Sequence, residues 1–229
     1  MTSPAVAIIP ARGGSTGIPR KNLAVVAGKP LVVHTIEQAL AAKNIDRVIV
    51  NSEDQEIRDV AAAAGAEVMD RPDEYAHDTT VQEVDRLLRW CILELEGRSE
   101  AVGLVVLLYP TAPLRRVATI EQAVSMVREG GYESVLSLVE DSTYLWRWEG
   151  DEVRPTNYDP RTRGPRQKEQ WNQWAENKAV YVMTRDLLVT TGCRIGGRVG
   201  GVAMSKLESV DIDAPEDLEL VRALMERGP

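Results

Sequence analysis

Short apolar runs alternate with amphipathic stretches through the first half of the chain. Ala5-Val6-Ala7-Ile8-Ile9-Pro10 is a continuous apolar run with the length of a buried strand. After Pro30, a residue favoured at helix starts, Leu31, Val32, Ile36, Ala39 and Leu40 recur with helical spacing. A second strand is predicted over 47–51, an Ala-rich helix over 54–64 ended by Gly65, and a short third strand over 66–69. Val84, Leu87, Leu88, Cys91, Ile92 and Leu95 form one helical stripe. The most apolar strand spans 102–108, followed by a helix near 117–128 and a strand near 133–138. Later strands are predicted over 178–183 and about 200–204, and Leu218, Val221, Leu224 and Met225 mark a last helix. Strands alternating with helices imply an α/β fold with a mostly parallel sheet and helices on both faces. Ligands bind beyond the carboxyl ends of such strands. The loops after residues 10, 51, 70 and 108 are therefore the places to search.

The pattern breaks over 139–175. Four of the five tryptophans occur there, Trp146, Trp148, Trp171 and Trp174, together with Tyr144 and Tyr158. Tyr144, Trp146 and Trp148 alternate as on a half-exposed strand, and Pro155, Pro160, Gly164 and Pro165 interrupt the middle. The aromatic content predicts an excursion that packs on a second subunit, with a long loop folded over its own domain as the alternative. The expected organisation is a catalytic α/β domain over 1–138 and 176–229, and an excursion over 139–175.

Composition narrows the function. The net charge of −8 argues against non-specific nucleic-acid binding. No apolar run is long enough for a membrane span, and Met1-Thr2-Ser3-Pro4 lacks the basic start of a signal peptide. Cys91 and Cys193 are too few for a disulfide framework and suit a cytoplasmic protein. His34 lies in a helical apolar pattern and reads as structural, and His77 has no partner motif. Two histidines and two scattered cysteines make no zinc site.

Five segments carry candidate chemistry. Pro10-Ala11-Arg12-Gly13-Gly14-Ser15-Thr16-Gly17-Ile18-Pro19-Arg20-Lys21-Asn22 follows the first strand directly. Its glycines let backbone amides approach an anion, and Arg12, Arg20 and Lys21 add positive charge, a combination suited to a triphosphate. It ends neither as a P-loop nor as a dinucleotide fingerprint. Asp211-Ile212-Asp213 places two carboxylates on one side of an extended chain, an arrangement that suits Mg²⁺, although Asp213 also reads as a cap for the last helix. Tyr109-Pro110-Thr111-Ala112-Pro113-Leu114-Arg115-Arg116 ends the most buried strand and reads equally as a ligand contact or a Pro-rich turn. Arg71, Thr79 and Thr80 follow the third strand and could face a base or ribose, Thr79 and Thr80 doubling as helix caps. Arg163-Gly164-Pro165-Arg166-Gln167-Lys168 is a basic stretch, solvated or facing an anion.

The first segment closely resembles the signature loop of the acylneuraminate cytidylyltransferases, whose relatives include the pseudaminate, legionaminate and octulosonate enzymes. Arg71-Pro72 with Asp78-Thr79, Pro110 to Arg115, Glu176-Asn177 with Ala179-Val180-Tyr181, and Asp211-Ile212-Asp213 occur in that family's order. The resemblance implies a Rossmann-like nucleotidyltransferase fold and a homodimer in which the excursion reaches the partner's site. It implies CMP transfer from CTP to a hydroxyl of a sugar acid, with pyrophosphate released. By the same resemblance Lys21, Arg12, Asp211 and Asp213 are catalytic, and Asp211 and Asp213 hold Mg²⁺. Ala11, Arg12, Gly13, Gly14, Ser15, Lys21, Asn22, Arg71, Thr79, Thr80, Tyr109 and Pro110 face the nucleotide. Arg115, Arg166, Gln167 and Asn177 face the acceptor. Three positions depart from the family pattern: Thr16 stands for its usual Lys, Lys178 for the Gly of an Asn-Gly pair, and Tyr109 for a Gln. A different acidic acceptor such as an octulosonate or a phosphonate, a different nucleotide, a nucleotide-sugar-dependent glycosyltransferase and a non-catalytic nucleotide-binding homologue are the competing readings.

Overall fold

The strand over Ala5–Pro10 forms where every side chain from Ala5 to Ile9 can be buried. Ala5, Ala7 and Ile9 face one apolar cluster, and Val6 and Ile8 face another. In the computed structural model, which describes residues 3–15, 17–76, 81–164 and 171–226, this strand lies inside a seven-stranded sheet. In chain order the elements are β1 (Ala5–Pro10), β2 (Val25–Val26), β3 (Lys29–Pro30), α1 (Leu31–Ala41), β4 (Arg47–Ser52), α2 (Gln55–Ala63), β5 (Glu67–Asp70) and α3 (Val81–Gly97). They continue as β6 (Leu104–Leu107), α4 (Val117–Arg128), β7 (Ser134–Glu140), β8 (Trp146–Glu149), β9 (Glu152–Pro155), β10 (Trp174–Thr184), α5 (Arg185–Thr191), β11 (Val199–Met204) and α6 (Pro215–Glu226). The sheet order is β11-β7-β10-β6-β1-β4-β5. Its pairs are parallel except those made by β10, which runs antiparallel to β6 and β7.

Helices cover both faces, as expected from the alternating pattern. Val32, Ile36 and Ala39 of α1, Ile57 and Ala61 of α2, and Ile120, Ala123, Val124 and Val127 of α4 fill one side. Leu87, Leu88, Cys91, Ile92 and Leu95 of α3, with Leu187 and Leu188 of α5, fill the other. A third, smaller cluster joins Ile18, Val26, Leu31, Ile212, Leu218 and Val221 beneath α6. Among the described residues, no helix is long and apolar enough to cross a membrane.

Two features differ from the expected elements. Helix α5 is absent from the periodicity because it is only seven residues long. Local caps specify it instead: Thr184 accepts a hydrogen bond from the Leu187 amide, and Gly192 takes the left-handed conformation (φ 68°) at its end. Strand β10 also starts earlier than expected, with Trp174 opposite Glu140 and Ala175 opposite Val139. The sheet thus absorbs both ends of the 139–175 stretch. Beyond them, β8 and β9 form a separate two-stranded ribbon, in which Trp146 pairs with Pro155 and Trp148 with Val153.

His34 is structural, as its pattern suggested: its Nε2–H donates to the Val26 carbonyl (2.8 Å) inside the fold. A buried ion pair ties α3 to the loop after α5. Arg194 donates through Nε to Asp85 and through Nη1 to the Tyr109 hydroxyl (2.9 Å), and its guanidinium lies over the Tyr181 ring. Asp85 and Arg194 are 4% and 3% exposed, so solvent cannot replace a lost partner. Asp85→Ala is therefore expected to destabilise the fold by about 3–5 kcal/mol, measured by urea unfolding. The double change Asp85→Leu with Arg194→Met should recover most of that loss. A loss below about 1 kcal/mol in Asp85→Ala would mean that the pair is solvated.

Candidate active site

The loop after β1 is fastened at both ends by polar contacts. The Ala11 amide donates to the Asn51 carbonyl (3.0 Å), fastening the loop to the end of β4. Asn22 is buried and donates through Nδ2 to the Arg12 carbonyl (2.9 Å), closing the loop from its far side. The Gly13 amide donates to Glu53 Oε1 (2.7 Å). A Cβ on Gly13 would lie 2.6 Å from Asp54 Oδ2, so only glycine fits there, whereas one on Gly14 would meet open space. Arg12 and Ser15 are half-buried in this loop. Arg20 turns away from it, pairing with Asp54 (3.2 Å) and Glu56 (2.7 Å) at the start of α2.

The acidic segment meets this loop directly. Ile212 is fully buried, and its amide donates to the Thr111 carbonyl (2.9 Å) in the loop after β6. Its two neighbours are less buried: Asp211 is half-buried and Asp213 is exposed. Lys21 Nζ donates to the Ile212 carbonyl (2.6 Å) and lies 3.7 Å from Asp213 Oδ1. A Cβ on Gly17 would stand 2.4 Å from the Asp213 carbonyl oxygen, so the backbones pack without an intervening side chain. The capping of α6 falls to Asp217 rather than Asp213. Asp217 Oδ2 accepts from the Asp213 and Ala214 amides (3.0 and 2.8 Å), leaving the Asp213 carboxylate to the cleft.

A second lysine reaches the same pair. Lys178 Nζ lies 3.5 Å from Asp211 Oδ2 and 3.8 Å from Asp213 Oδ2. Burial, with the Asp213 charge adding to it, raises the Asp211 carboxyl above its ordinary range against hydrogen bonds from Thr111 and Lys178. Burial opposes the Lys178 ammonium, but the charges of Asp211 and Asp213 outweigh it and the net shift is upward. The buried Asp211 Oδ1 has no hydrogen-bond partner among the described residues. Among those residues, no cluster of three or more His, Cys, Asp or Glu side chains could hold a metal ion. Two carboxylates converging near one cation, one with an unsatisfied oxygen, fit a hard divalent ion that takes its remaining ligands from phosphate and water.

Several expected contacts lie deeper than the cleft surface. Arg115 is 3% exposed, and its guanidinium donates to Gln38 Oε1 (2.9 Å), the carbonyls of Ala179 (2.5 Å) and Tyr109 (2.8 Å), and Thr35. It organises the loop after β6, and burial lowers its pKa against the pull of the Asp211 charge. Asn177 is buried among Ser137, Met204 and Ser209. Arg71 is buried and donates to the Asn51 side chain (2.8 Å) and carbonyl (3.3 Å) at the end of β4. Tyr109 is half-buried, with its ring edge-on to Tyr181, and Pro110 is buried. Thr79, Thr80, Arg166 and Gln167, together with Thr16, lie outside the described residues. Two residues, Glu53 and Asp217, join the site without having been singled out by motif, and Lys178, noted only as a departure from the family pattern, joins it as well. Glu53 directly follows β4, in one of the loops where strand order predicts ligands.

Comparison with known proteins identifies the family. A family profile for cytidylyltransferases matches residues 6–153. An N-acylneuraminate cytidylyltransferase A of Danio rerio is 32% identical over 92% of this chain and 48% of its own length. The chain thus spans about half of that relative. A CMP-N,N'-diacetyllegionaminic acid synthase of Legionella pneumophila is 29% identical over 96% of both chains. Among solved structures, a CMP:2-keto-3-deoxy-manno-octonic acid synthetase complexed with CTP superimposes with a TM-score of 0.74 at 19% identity, over 99% of this chain and 100% of that one. At that identity the likeness concerns the fold. With the profile covering well over half of its residues, including the glycine-rich loop, this chain belongs to the cytidylyltransferase family.

Proposed function

We propose that the protein transfers CMP from CTP to a hydroxyl of a sugar acid of the nonulosonate class, releasing pyrophosphate. The observation that carries this reading is the meeting of Lys21 with the Ile212 carbonyl and Asp213, which joins the glycine loop and the acidic pair in one cleft. The names of the Danio rerio and Legionella pneumophila relatives support the acceptor class. Asp211 and Asp213 would hold Mg²⁺, which supplies charge neutralisation on phosphate oxygens when bound.

The chain's own groups have distinct tasks. The Gly14 backbone amide and the Arg12 side chain bind the polyphosphate, while the Gly13 amide is held by Glu53. Lys21 balances negative charge that grows on the departing pyrophosphate. The acceptor oxygen attacks the α-phosphorus, the bond to the β-phosphate oxygen breaks, and the acceptor proton is lost to the solvent side of the cleft. Such transfers depend on positioning and charge stabilisation. A glycosyltransferase would release no pyrophosphate, so that product separates the two activities. Octulosonate and phosphonate acceptors, and nucleotides other than CTP, are tested in the same assay. The free cysteines Cys91 and Cys193 suit a cytoplasmic enzyme.

A homodimer completes the proposal. An isolated two-stranded ribbon is marginal in water. Here β8 and β9 expose Trp148 (72%), Trp146 and Val153 on one face. A second copy of the chain is the partner that would cover them, as aromatic interface cores do. Trp146→Ser with Trp148→Ser is expected to shift the sedimenting species from dimer to monomer without unfolding it. A wild-type monomer at micromolar concentration would contradict the assignment.

Pyrophosphate release from four nucleoside triphosphates against a panel of sugar acids tests the activity itself. CTP with a nonulosonate is expected to give the highest rate, and no pyrophosphate with any pair would refute it. Asp211→Ala and Lys21→Ala are each expected to lower kcat by on the order of 10²–10³-fold while circular dichroism stays native. Near-normal turnover in either variant would refute its assigned role.

A further inference from the structure

Strand β10 is interrupted where it passes the acidic pair. Glu176 pairs with Leu138 and Tyr181 with Leu136, so the register shifts between them and a bulge carries Asn177 and Lys178. Bulges re-aim side chains and occur beside active sites. Lys178 holds φ at +60°, a left-handed backbone that glycine adopts freely and a long side chain rarely does. Asn177 anchors the bulge inward: its Oδ1 accepts from the Ser137 hydroxyl (2.5 Å), and its Nδ2 donates to the Ser209 hydroxyl (2.8 Å). The next side chain is thereby presented to the cleft. Its ammonium sits between two carboxylates, 3.5 Å from Asp211 and 3.8 Å from Asp213.

This geometry has a functional consequence. Lys21 reaches only Asp213 of the pair and already donates to the Ile212 carbonyl. Lys178 reaches both carboxylates and stands at the position where a divalent ion shared by them belongs. A lysine stem is flexible and its head is a compact point charge, so the ammonium can leave without moving the backbone.

We propose that Lys178 is the built-in counter-cation of the acidic pair, which a divalent ion must displace, so that metal enters with the nucleotide rather than before it. The inference rests on the reading of Asp211 and Asp213 as the metal ligands. In the nucleotide-free protein the ammonium keeps the two carboxylates together and holds metal affinity low. A polyphosphate arriving in the glycine loop brings additional ligands and negative charge. The metal then gains the phosphate oxygens, and the displaced ammonium gains a new anionic partner. Metal and nucleotide binding are therefore positively coupled, and removing the lysine charge weakens the coupling by improving metal binding alone.

The test is Mn²⁺ binding to the 229-residue chain, measured by the loss of the free-ion electron paramagnetic resonance signal, with and without CTP. Lys178→Met removes the charge and keeps the stem, and Lys178→Gly also relieves the left-handed backbone. Both are expected to bind Mn²⁺ about tenfold or more tightly than wild type without nucleotide, whereas Lys178→Arg should stay weak. CTP should tighten Mn²⁺ binding strongly in wild type and less in Lys178→Met. Equal nucleotide-free affinities in wild type, Lys178→Met and Lys178→Gly, with binding lost in Asp211→Asn, would overturn the inference alone. Binding indifferent to Asp211→Asn, with or without CTP, would remove the metal-site reading and this inference with it.

Discussion

The site depends on the burial of Ile212 against Ile18. Ile212 has no exposed surface and packs with Ile18, Leu218 and Val221 under α6. With the isoleucine buried, the carboxylates on either side of it both lie close to the Lys178 ammonium, at 3.5 and 3.8 Å. The same small cluster draws in the glycine loop through Ile18. Lys21 then crosses 191 residues of sequence to donate to the Ile212 carbonyl. A full side chain at Gly17 would collide with Asp213. Apolar packing, rather than ionic attraction, therefore sets the distance between the cationic and acidic segments, and the charges act within a frame already closed.

Under the proposed function, an acidic chain must hold a polyanion in this frame. A net charge of −8 repels a polyphosphate at long range, so local cations must offset it. Arg20, within the loop by sequence, is instead engaged by Asp54 and Glu56 on α2. Lys21 and Lys178 face two carboxylates, which leaves the cleft near electrical balance before a ligand arrives. Charge of one sign added to such a site favours adding the other, which is the physical basis of the proposed joint uptake of metal and nucleotide.

Much of the fold was legible because its signals are local. The stripe from Val84 to Leu95 became α3, and the run from Ala5 to Pro10 became β1. The placing of the glycine loop after β1 followed from strand order alone. The remainder depends on register and burial. Nothing in the apolar pattern of 178–183 reveals that β10 is antiparallel or that it bulges at Asn177 and Lys178. Arg115 and Asn177 occupy family-like motif positions facing an acceptor, yet their polar atoms are engaged inside the protein. A motif records residue type and order, while depth depends on which neighbours close over the residue. Glu53 has no motif at all, and the amide of Gly13 reveals it only once β1 and β4 are paired.

The most direct measurement is a crystal structure with CTP and Mn²⁺, using the manganese anomalous signal. The account predicts one peak in contact with both Asp211 and Asp213 and with phosphate oxygens that also lie against the Gly13–Gly14 backbone and Lys21. A polyphosphate bound away from the glycine loop, or a manganese peak remote from the two aspartates, would contradict it.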